Sequence, residues 1–421
     1  MEQKTKPFNI LLIITDQLSA KAISHLGNPY VHTPAIDSIA AQGVSFQNAY
    51  CCNPVCVPSR IGMFTGHYPH EAGIFLNSHR PTKELKQLPW MGKIFKDAGY
   101  ETVYYGKSHL IVGSWEKWVH GFSKFKITFG RNMDEKVASL CAKTLAKEHK
   151  KPFLMVASLL NPHNVCQLAR KQKLPNANIG NPPIGEKCPP LPENFAAPIN
   201  EPSAIDEAYK ESWERYPTKN WTENDWRQYL WGYYRLVEHT DRIIGQILDS
   251  LKTSQYSNNT IVVFTSDHGE GMAEHRWNQK QAFFEAVARI PFIIAHPKSS
   301  QKGKLNNITL VNNGVDMIPT LADMTGILSK ELLELCDFRG KSVKQALFSP
   351  QTSDLIDHVV SESEFGPFVD KNWTHANRYF GRMIRTPQFK YIAYSRGENR
   401  EAFFNLQSDP GEKIKDRKSV V

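Results

Sequence analysis

The sequence predicts an α/β protein with a large, mostly parallel β-sheet covered by helices on both faces, followed by a small C-terminal α+β subdomain with an antiparallel sheet. Short apolar runs of strand type alternate with stretches of helical periodicity along most of the chain, which is typical of a sheet buried on both faces. This alternation fades beyond about Leu328. The 421 residues exceed one ordinary domain, so we expect a main domain over residues 1–328 and a smaller subdomain over residues 329–421.

Five apolar runs predict the strands of the main sheet, because each is short and rich in branched or aromatic residues. They cover residues 9–15, 101–105, 153–158, 260–265 and 290–295. Four similar runs near the C-terminus predict the antiparallel sheet. They cover residues 358–362, 382–386, 390–395 and 402–405, with turns near Gln388 and Arg396-Gly397.

Helices between the strands are predicted from capping residues and periodicity. The shorter ones are residues 34–43, begun by Thr33 and Pro34 and ended by Gly43, residues 88–98, followed by Gly99, and residues 133–149. A longer helix over residues 222–252 starts at the capping pair Thr222 and Asp225. Its apolar residues recur at helical spacing, which indicates a core face rather than a cofactor site.

The segment over residues 161–218 is rich in Pro and Asn and too long for an ordinary connection. We predict that it is a loop region that shapes a pocket and carries substrate specificity.

Composition and charge narrow the class of protein. Hydrophobic residues make up 41% and charged residues 22% of the chain, and no stretch approaches the roughly 20 apolar residues that cross a bilayer. The formal charge of +9 favours acidic small molecules or sulfated polymers as partners. The basic residues are scattered rather than clustered, so we expect no nucleic-acid partner. Because no long apolar stretch is present, we also expect no membrane partner.

The N-terminus and the cysteines bear on the cellular compartment. Residues 1–7 are charged and the apolar run over residues 10–15 is too brief for a signal peptide, so we expect a cytoplasmic protein, or a periplasmic or secreted one if a leader has been removed. The seven cysteines are odd in number and show no C-x-x-C spacing. Neither a disulfide framework nor a structural zinc site is therefore favoured.

Polar residues interrupt two predicted strands at their carboxyl ends, where open α/β sheets place ligands. The first strand runs into Asp16 and Gln17, and the strand over residues 260–265 runs into Asp267 and His268. Each aspartate alone could cap a turn or a helix. Together they predict a site for a hard divalent cation, with Asp16, Asp267 and His268 binding directly and Gln17 contributing its side-chain oxygen.

A third element contains the candidate nucleophile. Cys56 precedes Pro58 and Arg60 at the predicted start of a helix that continues to Thr65 and Gly66. At a helix N-terminus, backbone N–H groups and the helix dipole favour an anion. Taken alone, Cys56 could be buried packing or an ordinary thiolate nucleophile.

The run Cys56-Val57-Pro58-Ser59-Arg60 with Thr65-Gly66 resembles the C-x-P-S-R…T-G signature of the sulfatase family, whose cysteine is oxidised to formylglycine. The resemblance implies the alkaline phosphatase-like fold, and further motifs extend it over nearly the whole chain. They are Asp16-Gln17, Gly106-Lys107-Ser108-His109, Asn161-Pro162-His163, Thr265-Ser266-Asp267-His268-Gly269-Glu270 with Lys280, Arg289-Ile290-Pro291, Val315-Asp316-Met317-Ile318-Pro319-Thr320, and Asp409-Pro410-Gly411-Glu412.

The resemblance also implies roles for individual residues. The metal, Ca²⁺ first and Mn²⁺ or Mg²⁺ otherwise, is held by Asp16, Gln17, Asp267, His268 and the modified Cys56. A hydroxyl of the hydrated formylglycine attacks sulfur, and collapse of the remaining hemiacetal expels sulfate. Arg60 orients the formylglycine, and Lys107 and His109 lie beside it, with His109 taking the proton during collapse. His163 and the sulfate-binding Lys280 protonate or stabilise the departing oxygen.

The expected reaction is therefore removal of sulfate from a small sulfated substrate, first a mono- or oligosaccharide, after a formylglycine-generating enzyme has modified Cys56. Two alternatives remain at this stage. The Asp-Gln and Asp-His combination is also found in relatives resembling choline sulfatase and phosphonate monoester hydrolases, which leaves a phosphodiester or phosphonate activity. His67 replaces the family's usual Arg after Thr-Gly, which leaves an unmodified, non-catalytic binder of sulfated glycans.

Overall fold

An eight-stranded sheet forms the centre of the computed structural model, which describes residues 7–175, 177–196, 201–349, 356–365 and 378–414. Most of the N-terminal segment discussed above, residues 1–6, lies outside this range. The strands are β1 (Asn9–Asp16), β2 (Val44–Tyr50), β3 (Glu101–Gly106), β4 (Lys124–Lys126), β5 (Phe153–Pro162), β6 (Thr260–Ser266), β7 (Phe292–Ala295) and β8 (Lys304–Asn312). Their order across the sheet is β4-β3-β5-β1-β6-β7-β2-β8.

The sheet is parallel except at β7, which pairs antiparallel with both β6 and β2. Alternate residues of β1 belong to opposite faces: Ile10, Leu12 and Ile14 pack in one buried cluster, Leu11 and Ile13 in the other. This two-sided burial is why the strands read as continuous apolar runs. The predicted fold class is confirmed.

The helices cover both faces of this sheet. They are α1 (Pro34–Gln42), α2 (Cys56–Thr65), α3 (Pro69–Ala72), α4 (Lys83–Gln87), α5 (Met91–Asp97), α6 (Lys117–His120), α7 (Met133–Leu145), α8 (Val165–Ala169), α9 (Ser203–Arg215), α10 (Glu223–Lys252), α11 (Glu285–Ala288), α12 (Met317–Thr325) and α13 (Lys330–Cys336). In α10 the predicted capping box is present, since Thr222 accepts from the Asp225 amide and Asp225 accepts from Thr222. Among the described residues, none of the helices is both long and apolar enough to cross a membrane.

A second, four-stranded antiparallel sheet follows in the C-terminal part. Its strands are β9 (Val359–Phe365), β10 (Tyr379–Arg385), β11 (Phe389–Tyr394) and β12 (Glu401–Asn405), in the order β12-β11-β10-β9. Met383, Ile392 and Phe404 of this sheet pack with Tyr50 and Phe283 in a third buried cluster. A division of the chain at residues 328 and 329 stays a prediction.

Several elements differ from the sequence-based expectation. Strands β2, β4 and β8 were not predicted, because they carry polar residues and the last two lie at sheet edges, where apolar character is weaker. The helix expected from residue 88 begins at Met91, since Pro89 favours the extended conformation that Leu88 adopts, with φ −62° and ψ 153°. The predicted loop over residues 161–218 also contains helices, α8 and α9.

Candidate active site

The chain brings together four potential ligands at the carboxyl ends of its central strands. Asp16 ends β1, and Asp267 and His268 directly follow β6. These strands are parallel neighbours with Thr15 opposite Ser266, so both carboxylates lie at the same edge of the sheet. Cys56 joins them as the first residue of α2. One ligand atom from each residue lies within 4.8 Å of the others, and all four residues are buried.

Arg60 lies beneath this cluster with no exposed surface. Its Nε donates to Asp267 Oδ2 at 2.7 Å, and one terminal nitrogen lies 3.3 Å from Asp16 Oδ2. The other terminal nitrogen donates to Ser158 Oγ at 2.8 Å and to the Lys107 carbonyl at 3.2 Å. The guanidinium thereby fixes both carboxylates and the segment that carries Lys107.

The two carboxyl groups differ in acidity. Burial, together with the charge of Asp16, raises the pKa of Asp267 to about 6. Burial also opposes ionisation of Asp16, but Lys107, His163 and Arg60 hold the pKa of Asp16 below its ordinary value. Lys107 Nζ forms an ion pair with Asp16. Asp16 is therefore ionised in a strongly cationic setting.

The thiol of Cys56 points at these same groups. Its Sγ lies 2.9 Å from Lys280 Nζ, 3.2 Å from His268 Nε2 and 3.8 Å from Asp16 Oδ1. Burial opposes ionisation of the thiol, yet Lys280, Lys107 and His268 bring the pKa of Cys56 well below its ordinary value. Residue 56 thus occupies a position that stabilises negative charge.

The N-terminus of α2 differs in one respect from the sequence-based expectation. The Val57 amide donates to Asn77 Oδ1 at 2.9 Å, so this N–H group is already used within the protein. Nothing in the sequence around Asn77 signalled this contact. Anion stabilisation near Cys56 therefore relies more on Lys280, Lys107 and His268 than on that amide.

The remaining predicted residues surround Cys56. His163 Nε2 lies 3.4 Å from Lys280 Nζ and 3.9 Å from Asp16 Oδ1, and His109 is close enough to Cys56 to help lower the pKa of its thiol. Burial, reinforced by the charge of Lys107, lowers the pKa of His163 to about 4. His163 is therefore neutral near pH 7, while Lys280 is charged.

Lys107 reaches the cluster because of the residue before it. Gly106 has φ +106°, and a Cβ atom there would lie 1.8 Å from the Ser158 carbonyl oxygen. Only glycine fits where the end of β3 pairs with β5. The tight approach directs Lys107 out of the strand and toward Asp16.

Gln17 is placed differently from the other predicted ligands. Its backbone N–H donates to Asp267 Oδ1 at 3.1 Å, but its side-chain amide donates to Glu270 Oε2 at 2.6 Å and Gln279 Oε1 at 3.0 Å. The Gln17 side-chain oxygen lies 3.8 Å from Cys166 Sγ. The contacts to Glu270 and Gln279 use the Gln17 nitrogen and not the side-chain oxygen expected to bind the cation, so the ligand role of Gln17 stays a prediction. From the sequence, Glu270 was noted only as the last residue of a family motif, without a role, and Gln279 was not singled out.

The donor set fits a divalent cation. Two carboxylates, one imidazole and the position of residue 56 converge in a buried cluster, and carboxylate-rich sites suit Ca²⁺, Mg²⁺ or Mn²⁺. The hydrogen bond between His268 Nδ1 and the Gly269 carbonyl, at 2.8 Å, assigns the proton to Nδ1. The Nε2 lone pair is thereby left for a metal.

Known protein families and curated proteins resemble this chain over most of its length. The sulfatase family matches residues 8–327, and the C-terminal region of N-sulphoglucosamine sulphohydrolase matches residues 273–418. The chain is similar to the Delta 4,5-hexuronate-2-O-sulfatase of Bacteroides thetaiotaomicron, with 29% identity over 98% of this chain and 85% of that protein.

Solved structures show the same relationship. A 2-O GAG sulfatase superimposes with a TM-score of 0.83 and 27% identity, over 98% of this chain and 88% of that one. The phosphonate monoester hydrolase of Agrobacterium radiobacter shares the fold, with a TM-score of 0.75 and 18% identity over 98% of this chain and 92% of that one. The chain belongs to the sulfatase family, the sulfuric ester hydrolases of the alkaline phosphatase superfamily.

Proposed function

We propose that this sulfatase removes sulfate from a carbohydrate of the glycosaminoglycan type, using a formylglycine made from Cys56 and one divalent cation. The observation that carries the proposal is the position of Cys56 Sγ, which faces the Asp16–His268 side of the ligand cluster and lies 2.9 Å from Lys280 Nζ. A nucleophile at this point has a cation site on one side and an ammonium group on the other.

Asp16, Asp267, His268 and residue 56 would hold the cation, Ca²⁺ first among the candidates. A cation bound there would lower the pKa of a hydroxyl of the hydrated formylglycine, which would supply an ionised nucleophile for sulfur near neutral pH. Arg60 keeps the two carboxylates apart and oriented through its contacts at 2.7 and 3.3 Å. This preorganisation removes the need for the site to rearrange as charge develops.

The cationic side chains then act on the sulfate group. Lys280 contacts Cys56 Sγ, and Lys107 pairs with Asp16 beside it. Both ammonium groups can therefore neutralise oxygens of a sulfate bound at residue 56. Lys280 is charged and His163 neutral, so Lys280 is the stronger donor toward the departing oxygen and His163 contributes a hydrogen bond. His109, whose side chain helps lower the pKa of Cys56, is the candidate to take the proton of residue 56 when sulfate leaves.

The substrate class comes from relatives and from charge. The similar proteins include one named as a hexuronate-2-O-sulfatase and one described as a 2-O GAG sulfatase. The formal charge of +9 suits a polyanionic sugar. We therefore propose a sulfated uronic acid within a mono- or oligosaccharide as the first substrate to test. Beyond the Asp-Gln and Asp-His combination in the sequence, the phosphonate alternative is supported by a likeness of fold.

Mass spectrometry tests the nucleophile. In enzyme co-produced with a formylglycine-generating enzyme, the peptide that contains Cys56 should be lighter than the unmodified peptide by about 18 Da, the difference between a thiol side chain and an aldehyde. Cys56→Ala is the control that cannot be converted. An unmodified peptide in active native material would exclude the formylglycine proposal. An unmodified peptide in native material without sulfatase activity would favour the binder alternative.

A substrate panel tests the reaction. The purified protein should release sulfate from 2-O-sulfated unsaturated uronate disaccharides faster than from 6-O-sulfated glucosamine, and should turn over aryl sulfates faster than aryl phosphodiesters or phosphonates. Faster turnover of the phosphonates by the same sample would replace the sulfatase proposal with the phosphonate one.

A further inference from the structure

Lys280 lies in a segment whose backbone is held in an uncommon conformation. The residues on either side, Gln279 and Gln281, have φ of +74° and +80°, values that residues with side chains rarely adopt. Such conformations persist only where the surroundings determine them. The contacts that hold this segment therefore decide where the Lys280 ammonium lies.

Two contacts fix the segment at its ends. The Gln279 amide donates to Glu270 Oε1 at 2.7 Å, and the Gln281 amide donates to the Pro54 carbonyl at 2.9 Å. Glu270 belongs to the loop that carries His268, and Pro54 to the loop that carries Cys56. The Lys280 backbone is thus suspended between the metal-ligand loop and the nucleophile loop.

Glu270 is the more heavily used of these anchors. Its buried carboxylate also accepts from Gln17 Nε2 at 2.6 Å and from the Tyr229 hydroxyl at 2.6 Å. The Gln279 side-chain oxygen accepts from the same Gln17 amide at 3.0 Å. A carboxylate tied down on several sides is a rigid support for the amide of Gln279.

We propose that Glu270 is a positioning residue for Lys280: by holding the Gln279 amide, its carboxylate aims the neighbouring ammonium group at residue 56 and at the sulfate bound there. Glu270 itself need not touch the substrate, because it acts through one peptide unit. This inference rests on the role proposed above for Lys280.

The test is a double-mutant cycle on the matured holoenzyme with Glu270→Ala and Lys280→Ala. Each single variant should lower kcat/KM about 100-fold. Displacing a catalytic group by about 1 Å, or removing a charged group that stabilises the transition state, has effects of that size. The double variant should be no more than about threefold slower than Lys280→Ala, because the second change acts on a group already lost. Multiplicative losses would overturn the proposal.

Two further readouts separate positioning from general damage. Both single variants should steepen the dependence of kcat/KM on the pKa of the leaving phenol in a series of aryl sulfates, and both should weaken binding of inorganic sulfate in calorimetry about tenfold. Glu270→Gln, which keeps an acceptor for the Gln279 amide, should recover most of the activity. A steeper dependence in Lys280→Ala alone would contradict the inference.

Matched controls keep the outcomes distinct. Glu274→Gln changes another buried carboxylate nearby, one that pairs with Lys21 at 2.6 Å, and should leave the leaving-group dependence unchanged. If Glu270→Ala does not fold, Glu270→Asp, which retracts the carboxylate from Gln279, takes its place in the cycle. Full activity of Lys280→Ala would refute the proposed role of Lys280, whereas full activity of Glu270→Ala and Glu270→Asp beside an impaired Lys280→Ala would refute only the positioning role.

Discussion

Arg60 Nε donates a hydrogen bond to Asp267 Oδ2 at 2.7 Å, and neither side chain has any exposed surface. The same guanidinium lies 3.3 Å from Asp16, so one buried cation serves the carboxylates of two different strands. A buried ion pair of this kind is costly to break, because the partner left behind remains charged and cannot reach water.

Arg60→Ala should therefore lower both stability and activity. We expect a loss of about 3–5 kcal/mol in the free energy of unfolding and at least a hundredfold loss in kcat, measured by urea denaturation and steady-state kinetics. Arg60→Lys should lose less stability but still be slow, since an ammonium group cannot bridge both carboxylates as the planar fork does. The control is Arg339→Ala, whose exposed pair with Glu71 contributes at most about 1 kcal/mol. Equal losses in the Arg60 and Arg339 variants would contradict this reading.

Removal of the divalent cation proposed at the ligand cluster should destabilise the native protein. At a concentration 100 times its Kd, Ca²⁺ should add about 2.7 kcal/mol to the free energy of unfolding, and dialysis against a chelator should remove it. Thermal denaturation in Ca²⁺, Mg²⁺ and Mn²⁺ measures the preference directly. Asp267→Asn should abolish most of the shift, whereas Asp323→Asn, in a salt bridge with Lys344 away from the ligand cluster, should keep it. A shift of the same size in Asp267→Asn would place the cation elsewhere.

Acid should destabilise the protein partly through His296, which lies outside the active site. Burial, with the nearby charges of Lys344, Lys298 and Lys302, lowers its pKa to about 4. Its neutral Nδ1 accepts from the Lys298 amide at 3.1 Å. The unfolded chain, with an ordinary histidine pKa near 6.5, binds a proton that the folded chain excludes, so stability is full above about pH 6.5 and is lost as pH falls toward 4.

The expected contribution of His296 is on the order of 2 kcal/mol between pH 7 and pH 4. His296→Asn should lower stability at every pH but flatten the decline in this window, as measured by urea denaturation across the pH range. His32→Gln, at an exposed side chain, should leave the slope unchanged. An unaltered slope in His296→Asn would show that other groups carry the acid sensitivity.

Lys390 should be essential for attachment of the C-terminal sheet. Its Nζ lies 3.1 Å from Glu285 Oε1 and 2.8 Å from Glu412 Oε1, and Lys390 is fully buried. Lys390→Ala should cost about 3–5 kcal/mol by removing the buried ammonium group that the Glu285 and Glu412 carboxylates share. Lys413→Ala, at an exposed ion pair with Glu193, should cost less than about 1 kcal/mol. Hydrogen exchange should show the loss of protection first in β11 and β12.

Much of the fold follows from periodicity, but not all of it. The central strands β1, β5 and β6 and helix α10 are long, apolar on the right faces and bounded by capping residues, so the sequence alone predicts them. Strand β2 was not predicted, because Gln47 and Asn48 interrupt its apolar run. Helices α8 and α9 lie in a region whose prolines suggest a loop, and tertiary packing there overrides the local signal.

The site shows the same division. The sequence predicts that Asp16 and Asp267 lie close together, because each follows the carboxyl end of a predicted strand. In the structure these two strands are parallel neighbours. The convergence of Lys107, His163 and Lys280 on Cys56 was expected only from family motifs, since each lies on a separate loop and local sequence carries no distance information. The side-chain contacts of Gln17 depend on Glu270, a partner 253 residues away, which no local pattern reveals.

The complete burial of Cys56 limits the time during synthesis when its side chain is accessible. His268, which covers the thiol at 3.2 Å, leaves the ribosome 212 residues after Cys56. At 5–20 residues per second, this delay is roughly 10–40 s. If residue 56 is converted as proposed, the modifying enzyme must act within that interval or on a chain that has not yet closed. Slower translation of the middle of the message should then raise the fraction of converted protein.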